Sequence, residues 1–227
     1  MSAGWKIAGE RALLAVDAPH VVTTQDLLGY ATVNSGEHPA SASFTRWLAS
    51  LVVVGKLQPV TRGVYLNRYA GPAVHAAEAA QYLRRGAVVS LAWVLERSGA
   101  LNNFGDTVTC VVPMAREWAP PKVGEQLTSS SSCRFYGMPQ HVMLAGSGRI
   151  EDVQDLTYGY PRATPERALM DWIYLGSSVR SRLPLPPLDI DLREMSLTRL
   201  SRLARAMGTQ DAWADWRDKR SASDKAN

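Results

Sequence analysis

The chain has 227 residues, a length that accommodates one large domain or two small ones. Hydrophobic residues make up 46% of the chain and charged residues 20%, a globular balance that excludes a chain disordered throughout. The formal net charge of +4 is a mild basic bias, which by itself proves nothing about nucleic acid.

The sequence predicts a cytoplasmic protein with reduced thiols. The longest apolar run, Leu48 to Val54, is far shorter than the ~18–20 residues of a membrane span. Glu10 and Arg11 stand where a signal peptide would carry its apolar core, so we expect neither export nor a membrane partner. Cys110 and Cys133 have no Cys or His at ligand spacing, so we expect no disulfide framework and no metal.

Basic residues concentrate towards the two ends of the chain. Residues 1–72 hold six basic and four acidic side chains, residues 193–227 hold eight and five, and the middle is nearly neutral. This distribution fits contact with phosphate at one end or both. Ordinary surface charge is the alternative interpretation.

Three helices are predicted in the amino-terminal part. Apolar spacing indicates the first over Trp5–Ala15. Thr23 or Thr24 can cap a short second helix. After a polar loop at residues 31–40, a third helix begins at Ser41 or Ser43, both good caps, and ends at Gly55.

A small β-hairpin is predicted after the third helix. Val60 and the run Val64–Leu66 favour strands, and residues 61–63 suit a tight turn between them. Three helices followed by a hairpin is the layout of a winged helix-turn-helix. We therefore predict an α+β protein with such a DNA-binding domain at residues 1–70.

The third helix and the hairpin supply the candidate DNA-binding residues. A helix entering the major groove needs short polar or basic side chains on its first turn, and Arg46 is the only side chain there able to make a bidentate contact to guanine. Arg62, in the predicted turn, is placed to meet backbone phosphate or the minor groove. A surface helix whose serines merely cap it is the alternative. The predicted set is Ser41, Ser43, Phe44, Thr45, Arg46, Thr61 and Arg62, of which Phe44 either packs inward or touches a thymine methyl group.

The remainder is predicted to be a mixed α/β domain at residues 73–220, after a linker at residues 67–72 and before a frayed tail at 221–227. Strands are expected at Thr107–Val112, Cys133–Met138 and His141–Leu144, and a low-complexity loop at residues 119–132 that includes the serine-rich segment 128–132. Thr164 caps a helix that opens with Pro165.

No residue constellation argues for catalysis. Arg167 and Asp171, four residues apart on the predicted helix, suit an intrahelical ion pair worth only tenths of a kcal/mol. The four histidines are scattered, and neither a phosphate-binding loop nor a nucleophile elbow is present. We therefore expect no enzyme activity and no cofactor. Trp213 and Trp216 share a helix face and either close a core, the interpretation we favour, or form a docking patch.

Three segments resemble the AbiEi family of antitoxins. LASLVVVGKLQPVTRGVYLN resembles that family's helix-then-wing segment, AVVSLAWVLERSGALNNFGDTVTCVVP its Ser-led helix, loop and strand, and RATPERALMDWIYL its late Thr-Pro-Glu-Arg-Ala-Leu helix. The resemblance covers roughly residues 44 to 175. The loop at residues 31–40 is longer than the family's compact turn, and the serine-rich segment 128–132 departs from its pattern.

The resemblance implies the antitoxin and autorepressor of a type IV toxin–antitoxin operon. Such a protein binds double-stranded DNA at inverted repeats in its own promoter, and its carboxyl-terminal domain is needed to neutralise a nucleotidyltransferase-type toxin. The alternative is a winged-helix protein-interaction module that does not bind DNA, because fold analogy alone does not fix function.

Overall fold

The computed structural model describes residues 4–71, 74–102, 105–114, 123–129, 131–146, 148, 151 and 153–226. It is a mixed α+β protein, as predicted, and divides into two compact units. The first comprises Met1–Leu83 with Leu127–Ser131, and the second comprises Arg84–Gln126 with Ser132–Asn227.

The first unit consists of three helices and a small antiparallel sheet. Its elements follow the order α1 (Gly4–Leu14), β1 (Val21–Thr23), α2 (Thr24–Val33), α3 (Ser41–Val53), β2 (Leu57–Thr61) and β3 (Val64–Asn67), with a short helix α4 (Ala80–Leu83) near its end. The three strands stand in the order β1-β3-β2. Strand β3 is therefore central, and both of its neighbours run antiparallel to it.

An aromatic cluster joins α1 to α3. The ring of Trp47 lies 5.6 Å from the rings of both Trp5 and Phe44, and all three side chains are buried. Gly9 on α1 allows this close approach, because a Cβ at that position would lie 2.6 Å from the indole of Trp47. The helix that carries the predicted DNA-binding residues is therefore fixed from behind by the core of its own unit.

Local sequence signals account for several element ends. Thr23 caps α2 with a complete capping box, its hydroxyl accepting from the Asp26 amide while the Asp26 carboxylate accepts from the Thr23 amide. Gly55, after α3, has φ 72°, the left-handed conformation that was predicted to end this helix. Gly63 has φ 75° in the turn between β2 and β3, so the predicted tight turn is also confirmed.

The predicted linker at residues 67–72 is part of the first unit over its described length. Asn67 is buried, and its amide group donates to the carbonyl of Leu13 at 2.9 Å. Arg68–Ala70 forms a 3-10 turn, and the Arg68 guanidinium donates to the carbonyl of Val74. The bond from Asn67 holds this segment to the first helix, and the division between the units falls after Leu83. Pro72 lies outside the described residues.

The second unit is built around a four-stranded sheet. The strands β4 (Val88–Val89), β5 (Thr107–Met114), β6 (Gly124–Leu127) and β7 (Ser132–Pro139) stand in the order β4-β5-β7-β6, with β5 and β7 parallel. The helices are α5 (Ala92–Arg97), α6 (Gln140–Met143), α7 (Pro165–Ser177), α8 (Leu197–Met207) and α9 (Gln210–Ala226). Helices α8 and α9 both pack on α7.

Three predictions for this unit were wrong. Residues 141–143, predicted as part of a strand, belong to α6, which starts directly after Pro139 ends β7. The segment predicted as a structureless loop contains strand β6, although residues 115–122 and Ser130 lie outside the described residues. The tail predicted to fray from residue 221 remains helical to Ala226.

Helix α7 follows its sequence signals and carries a buried ion pair. Thr164 caps it and Pro165 opens it, as predicted. Arg167 Nε lies 2.7 Å from the carboxylate of Asp171, but both side chains are almost fully buried. The predicted contact is confirmed. Because removing one partner of a buried pair generally costs more than tenths of a kcal/mol, we expect its loss to cost more than the spacing alone suggested.

The paired tryptophans of α9 belong to the core. The rings of Trp213 and Trp216 stack at 5.7 Å and both are buried. The indole N–H of Trp216 donates to the carbonyl of Pro186 at 2.8 Å. The interpretation favoured from the sequence is therefore confirmed. Within the described part of the chain, every helix is too short or too polar to cross a membrane.

Candidate nucleic-acid interface

Helix α3 presents a polar first half to solvent. Ser41, Thr45 and Arg46 are exposed and Ser43 is half-buried, while the opposite face packs Trp47, Leu48 and Leu51 into the core. Arg46 is the only charged residue of this helix. Of the five predicted DNA-binding residues on this helix, these four are polar and three of them are exposed.

Phe44 is the exception among the predicted residues. Its side chain is only 6% exposed, and its ring is tilted against those of Trp5 and Trp47. Of the two positions that the sequence allowed, the inward one is found. Phe44 is therefore a core residue that orients α3, and it is not available to a thymine methyl group.

The amino-terminal end of α3 is open. Ala40 occupies the N-cap position and has no side-chain acceptor, so the predicted capping by Ser41 or Ser43 is wrong. The carbonyl of Ala40 accepts from the amides of Ser43 and Phe44, whereas the amides of Ser41 and Ala42 have no partner among the described residues. Free amides at the positive end of a 13-residue helix form a natural position for a phosphate group.

The neighbouring helix α2 differs in this respect. Its first turn is closed by Thr23 and carries the carboxylate of Asp26, which opposes the binding of another anion. Within this pair of helices, the features that favour a phosphate are thus confined to α3. Sequence reasoning missed this site because it assigned the cap to a serine, although the absence of an acceptor at Ala40 is visible in the sequence.

The side chains of this turn are held against their own helix. The Thr45 hydroxyl donates to the carbonyl of Ser41 at 3.0 Å, and Arg46 Nε donates to the carbonyl of Ala42 at 3.3 Å. The guanidinium of Arg46 is thereby drawn back towards the open end of α3. In this position the hydroxyl oxygen of Thr45 can still accept a hydrogen bond. The terminal nitrogens of Arg46 can still donate to a ligand.

The hairpin places a second exposed cation at a defined turn. Arg62 is exposed and Thr61 half-buried, and Gly63 follows with its left-handed conformation. The carbonyl of Gly63 accepts a 2.9 Å hydrogen bond from the amide of Thr24. The backbone that carries Arg62 is therefore fixed to the start of α2 as well as to its partner strand.

The surrounding sequence contains no acidic residue. Between Glu37 and Glu78 the chain has four lysines and arginines and no aspartate or glutamate. Two of these cations are engaged, since Lys56 pairs with Glu10 at 3.4 Å and Arg68 donates to Gln58. Arg46 and Arg62 have no acidic partner among the residues described. These two charges are therefore available to an external anion.

Candidate metal ligands and thiols were predicted to be isolated from one another. No three His, Cys, Asp or Glu side chains come together there in a way that could hold a metal ion. Cys110 and Cys133 are free and buried. Burial raises the pKa of the Cys133 thiol to about 11 and also raises the pKa of the Cys110 thiol well above its ordinary value, so both thiols are neutral at physiological pH.

Comparison with known proteins yields a structural match without a family assignment. No profile of a known protein family matches the chain, and no curated protein matches it by sequence. Among solved structures, the chain is similar to the Rv2827c protein from Mycobacterium tuberculosis, with a TM-score of 0.52 and 18% sequence identity. The match covers 92% of this chain and 77% of that one. At this identity the similarity shows the fold alone.

Proposed function

We propose that the protein is a sequence-specific DNA-binding autorepressor whose first unit is a winged helix-turn-helix. In this proposal α3 is the recognition helix and the β2–β3 hairpin is the wing. The order α1-β1-α2-α3-β2-β3, with β1 completing the sheet beside β3, supports this assignment because it joins three helices to a hairpin of the expected size.

The observation that carries the proposal is the open, polar first turn of α3. Its free amides suit a DNA phosphate, while Arg46 suits the O6 and N7 acceptors of a guanine. Ser41, Ser43 and Thr45 supply further polar contacts to phosphate or base edges. Thr61 and Arg62 act beside this helix on the DNA backbone, where contacts position the protein without reading sequence.

The second part of the proposal is an antitoxin role for the second unit. Its support is the resemblance of three sequence segments to AbiEi antitoxins, spread over both units. The implied partner is a nucleotidyltransferase-type toxin, and the implied DNA target is the inverted repeats of the protein's own promoter. The protein would then be cytoplasmic and would need no cofactor.

Fluorescence anisotropy with labelled duplexes tests DNA binding. We expect the full chain to bind the duplex upstream of its own gene at least ~10³-fold more tightly than a shuffled duplex of equal length, as specific binders do. The shuffled duplex controls for attraction to phosphate alone. Equal affinity for both duplexes would contradict sequence-specific repression.

Co-expression with the neighbouring reading frame tests the antitoxin role separately. We expect the full chain to restore growth when that frame is toxic. The variant Arg46→Ala/Arg62→Ala is the matched control, since both side chains are exposed on the first unit. It should lose promoter binding and still restore growth. If this variant lost both promoter binding and growth restoration, the assignment of DNA binding to the first unit and antitoxin activity to the second would be contradicted.

A second candidate function is protein docking without DNA. The observation in its favour is an apolar patch at the end of α3, where Val53 is 85% and Val54 is 62% exposed. Contact with a partner protein would remove this apolar surface from water. Absence of binding to any duplex, together with loss of a partner on Val53→Ser/Val54→Ser, would favour this function.

A further inference from the structure

The second unit contains an open groove with a distinctive lining. Its volume is about 1060 Å³, at the upper end of the range in which small-molecule sites fall. The floor is β7 and the end of α7, and one wall is the segment that follows α7. Nothing in the proposed DNA-binding or antitoxin role uses this groove.

The charged residues that line the groove in the described part of the chain are all positive. They are Arg134, Arg180 and Arg182, and no aspartate or glutamate stands beside them among the described lining residues. All three arginines are exposed, and none has an acidic partner among the described residues. Guanidinium groups gathered without counter-charges favour a ligand with several anionic oxygens, which phosphates offer in the geometry that arginine binds best.

The remaining lining suits a flat, partly apolar body. Tyr136 on β7 and Tyr174 on α7 are half-buried and present aromatic surface, on which a planar base can stack. Ser178 adds a hydroxyl group. An inorganic anion would use only the arginines, but a phosphate ester of a planar base would use the aromatic walls as well.

Hydrogen bonds hold the backbone of the wall that carries Arg180 and Arg182. The Ser181 hydroxyl donates to the carbonyl of Leu175 and accepts from the amide of Leu183 at 3.2 Å. The indole N–H of Trp172 donates to the carbonyl of Pro184 at 2.9 Å. The backbone that carries the two arginines is thus formed before a ligand arrives, and this lowers the entropic cost of binding.

Backbone strain singles out Arg182 within this wall. Its φ of 53° is left-handed, a conformation that is uncommon for a residue other than glycine. Glycine would satisfy the backbone here without strain, so the side chain is present despite its conformational cost. Strained residues of this kind concentrate at ligand-binding sites.

From these features we infer that the groove of the second unit binds a nucleotide, with its phosphates on Arg134, Arg180 and Arg182 and its base against Tyr136 and Tyr174. The nucleotide is either free or the unpaired nucleotide of a single strand. The inference rests on the second unit alone and does not depend on the proposed function.

Isothermal titration calorimetry of the full chain tests the inference with ATP, inorganic pyrophosphate and a short single-stranded oligonucleotide. We expect one ATP site per chain and weaker binding of pyrophosphate. Arg182→Gly should weaken ATP binding about tenfold, since it removes a charge-assisted hydrogen bond while relieving the left-handed strain of the backbone. Arg180→Gln and Tyr174→Leu should each weaken it as well.

Arg205→Gln is the matched control, because Arg205 is an exposed arginine of the same unit on α8 and does not line this groove. Oligonucleotide binding that is lost in Arg180→Gln/Arg182→Gly but retained in Arg46→Ala would assign the nucleotide to an unpaired strand. The inference is overturned by absence of ATP and oligonucleotide binding, by groove variants that bind like the parent, or by pyrophosphate binding as tightly as ATP. Displacement of ATP by a polyglutamate peptide at equal concentration would overturn it in favour of an acidic protein segment.

Discussion

The amide of Thr24 donates a 2.9 Å hydrogen bond to the carbonyl of Gly63, so the first residue of α2 holds the turn of the β2–β3 hairpin. The side chain of Thr24 also lies close to Gly63. A Cβ added at Gly63 would lie 3.2 Å from the Thr24 hydroxyl oxygen. The position of the proposed wing is thus set by α2 as well as by its own strands.

Replacing Gly63 by alanine should disturb both stability and DNA binding. The added Cβ enters a left-handed conformation, which costs roughly 1–2 kcal/mol, and presses on Thr24. We expect a lower urea midpoint and weaker binding to every duplex, because Arg62 is displaced. Gly36→Ala is the control, because Gly36 has φ 71° but open space around its Cβ position. This variant should lose about as much stability as Gly63→Ala and keep the DNA affinity of the parent protein. Equal effects of both variants on binding would refute the coupling.

Arg62→Ala should reveal a contact to the DNA backbone. Because a phosphate contact carries no sequence information, affinity should fall alike for promoter and shuffled duplexes. The slope of log K against log salt should become shallower by about one unit. Arg11→Ala removes an exposed cation of α1 in the same unit and should leave the slope unchanged. A slope that stays the same in Arg62→Ala would remove this residue from the interface.

Arg46→Ala should instead relax sequence preference. Loss of a bidentate contact to guanine weakens promoter binding by about 1–3 kcal/mol and leaves binding to shuffled duplexes almost unaltered. The measurement is anisotropy across a set of duplexes with single base-pair changes. Unchanged base preference would show that Arg46 does not read the sequence.

Much of the first unit could be predicted because its signals are local. Thr23, Gly55 and Gly63 act on the backbone within a few residues: the two glycines were assigned correctly, and the cap of α2 was narrowed to Thr23 or Thr24, of which the structure uses Thr23. Strand β1 was not predicted. Its three residues form a strand only because they pair with Val64–Leu66, which lie far along the chain. The burial of Asn67 within the first unit was not predicted for the same reason. The carbonyl groups that accept hydrogen bonds from its side chain lie in the first helix and in the loop after it.

In the candidate DNA-binding site, too, local features were predictable and those that depend on distant contacts were not. Residue type and helical spacing were enough to propose Arg46, Thr45 and Ser41, and they left the orientation of Phe44 open between core and surface. That choice depends on Trp5, which reaches Phe44 only in the folded unit. The groove of the second unit could not be predicted at all, because β7 and the segment after α7 are distant in sequence.

The buried pair of α7 should matter more for stability than its spacing suggests. Besides Arg167, Asp171 accepts from the Ser90 hydroxyl at 2.7 Å, and the Arg167 guanidinium donates to the carbonyls of Ala145 and Val142. Arg167→Met leaves a buried carboxylate without its cation, so we expect a loss of about 3–5 kcal/mol in urea unfolding.

The exposed pair of the same unit provides the comparison. Arg193 and Asp191 lie 2.6 Å apart, but the Arg193 side chain is 86% exposed. We expect Arg193→Met to leave the urea midpoint unchanged, since water screens such a pair. Similar midpoints for Arg167→Met and Arg193→Met would show that burial does not govern the pair of α7.

The free amides of α3 can be tested by a proline that preserves the helix. Ser41 is the first helical residue, a position where proline is favoured, and Ala40 before it has φ −61° and ψ 136°, as a residue preceding proline requires. Ser41→Pro should therefore retain or raise stability while it removes one amide that meets phosphate. We expect promoter affinity to fall and the salt dependence to change little, because the lost donor is uncharged.

Ser41→Ala is the matched variant for this experiment, since it removes the same hydroxyl group and retains the amide. If the amide is the contact, affinity falls in Ser41→Pro and not in Ser41→Ala. If the hydroxyl is the contact, both variants weaken alike. Full promoter affinity in a folded Ser41→Pro protein would show that the open end of α3 does not hold phosphate, and recognition would then depend on Arg46 and the hairpin alone.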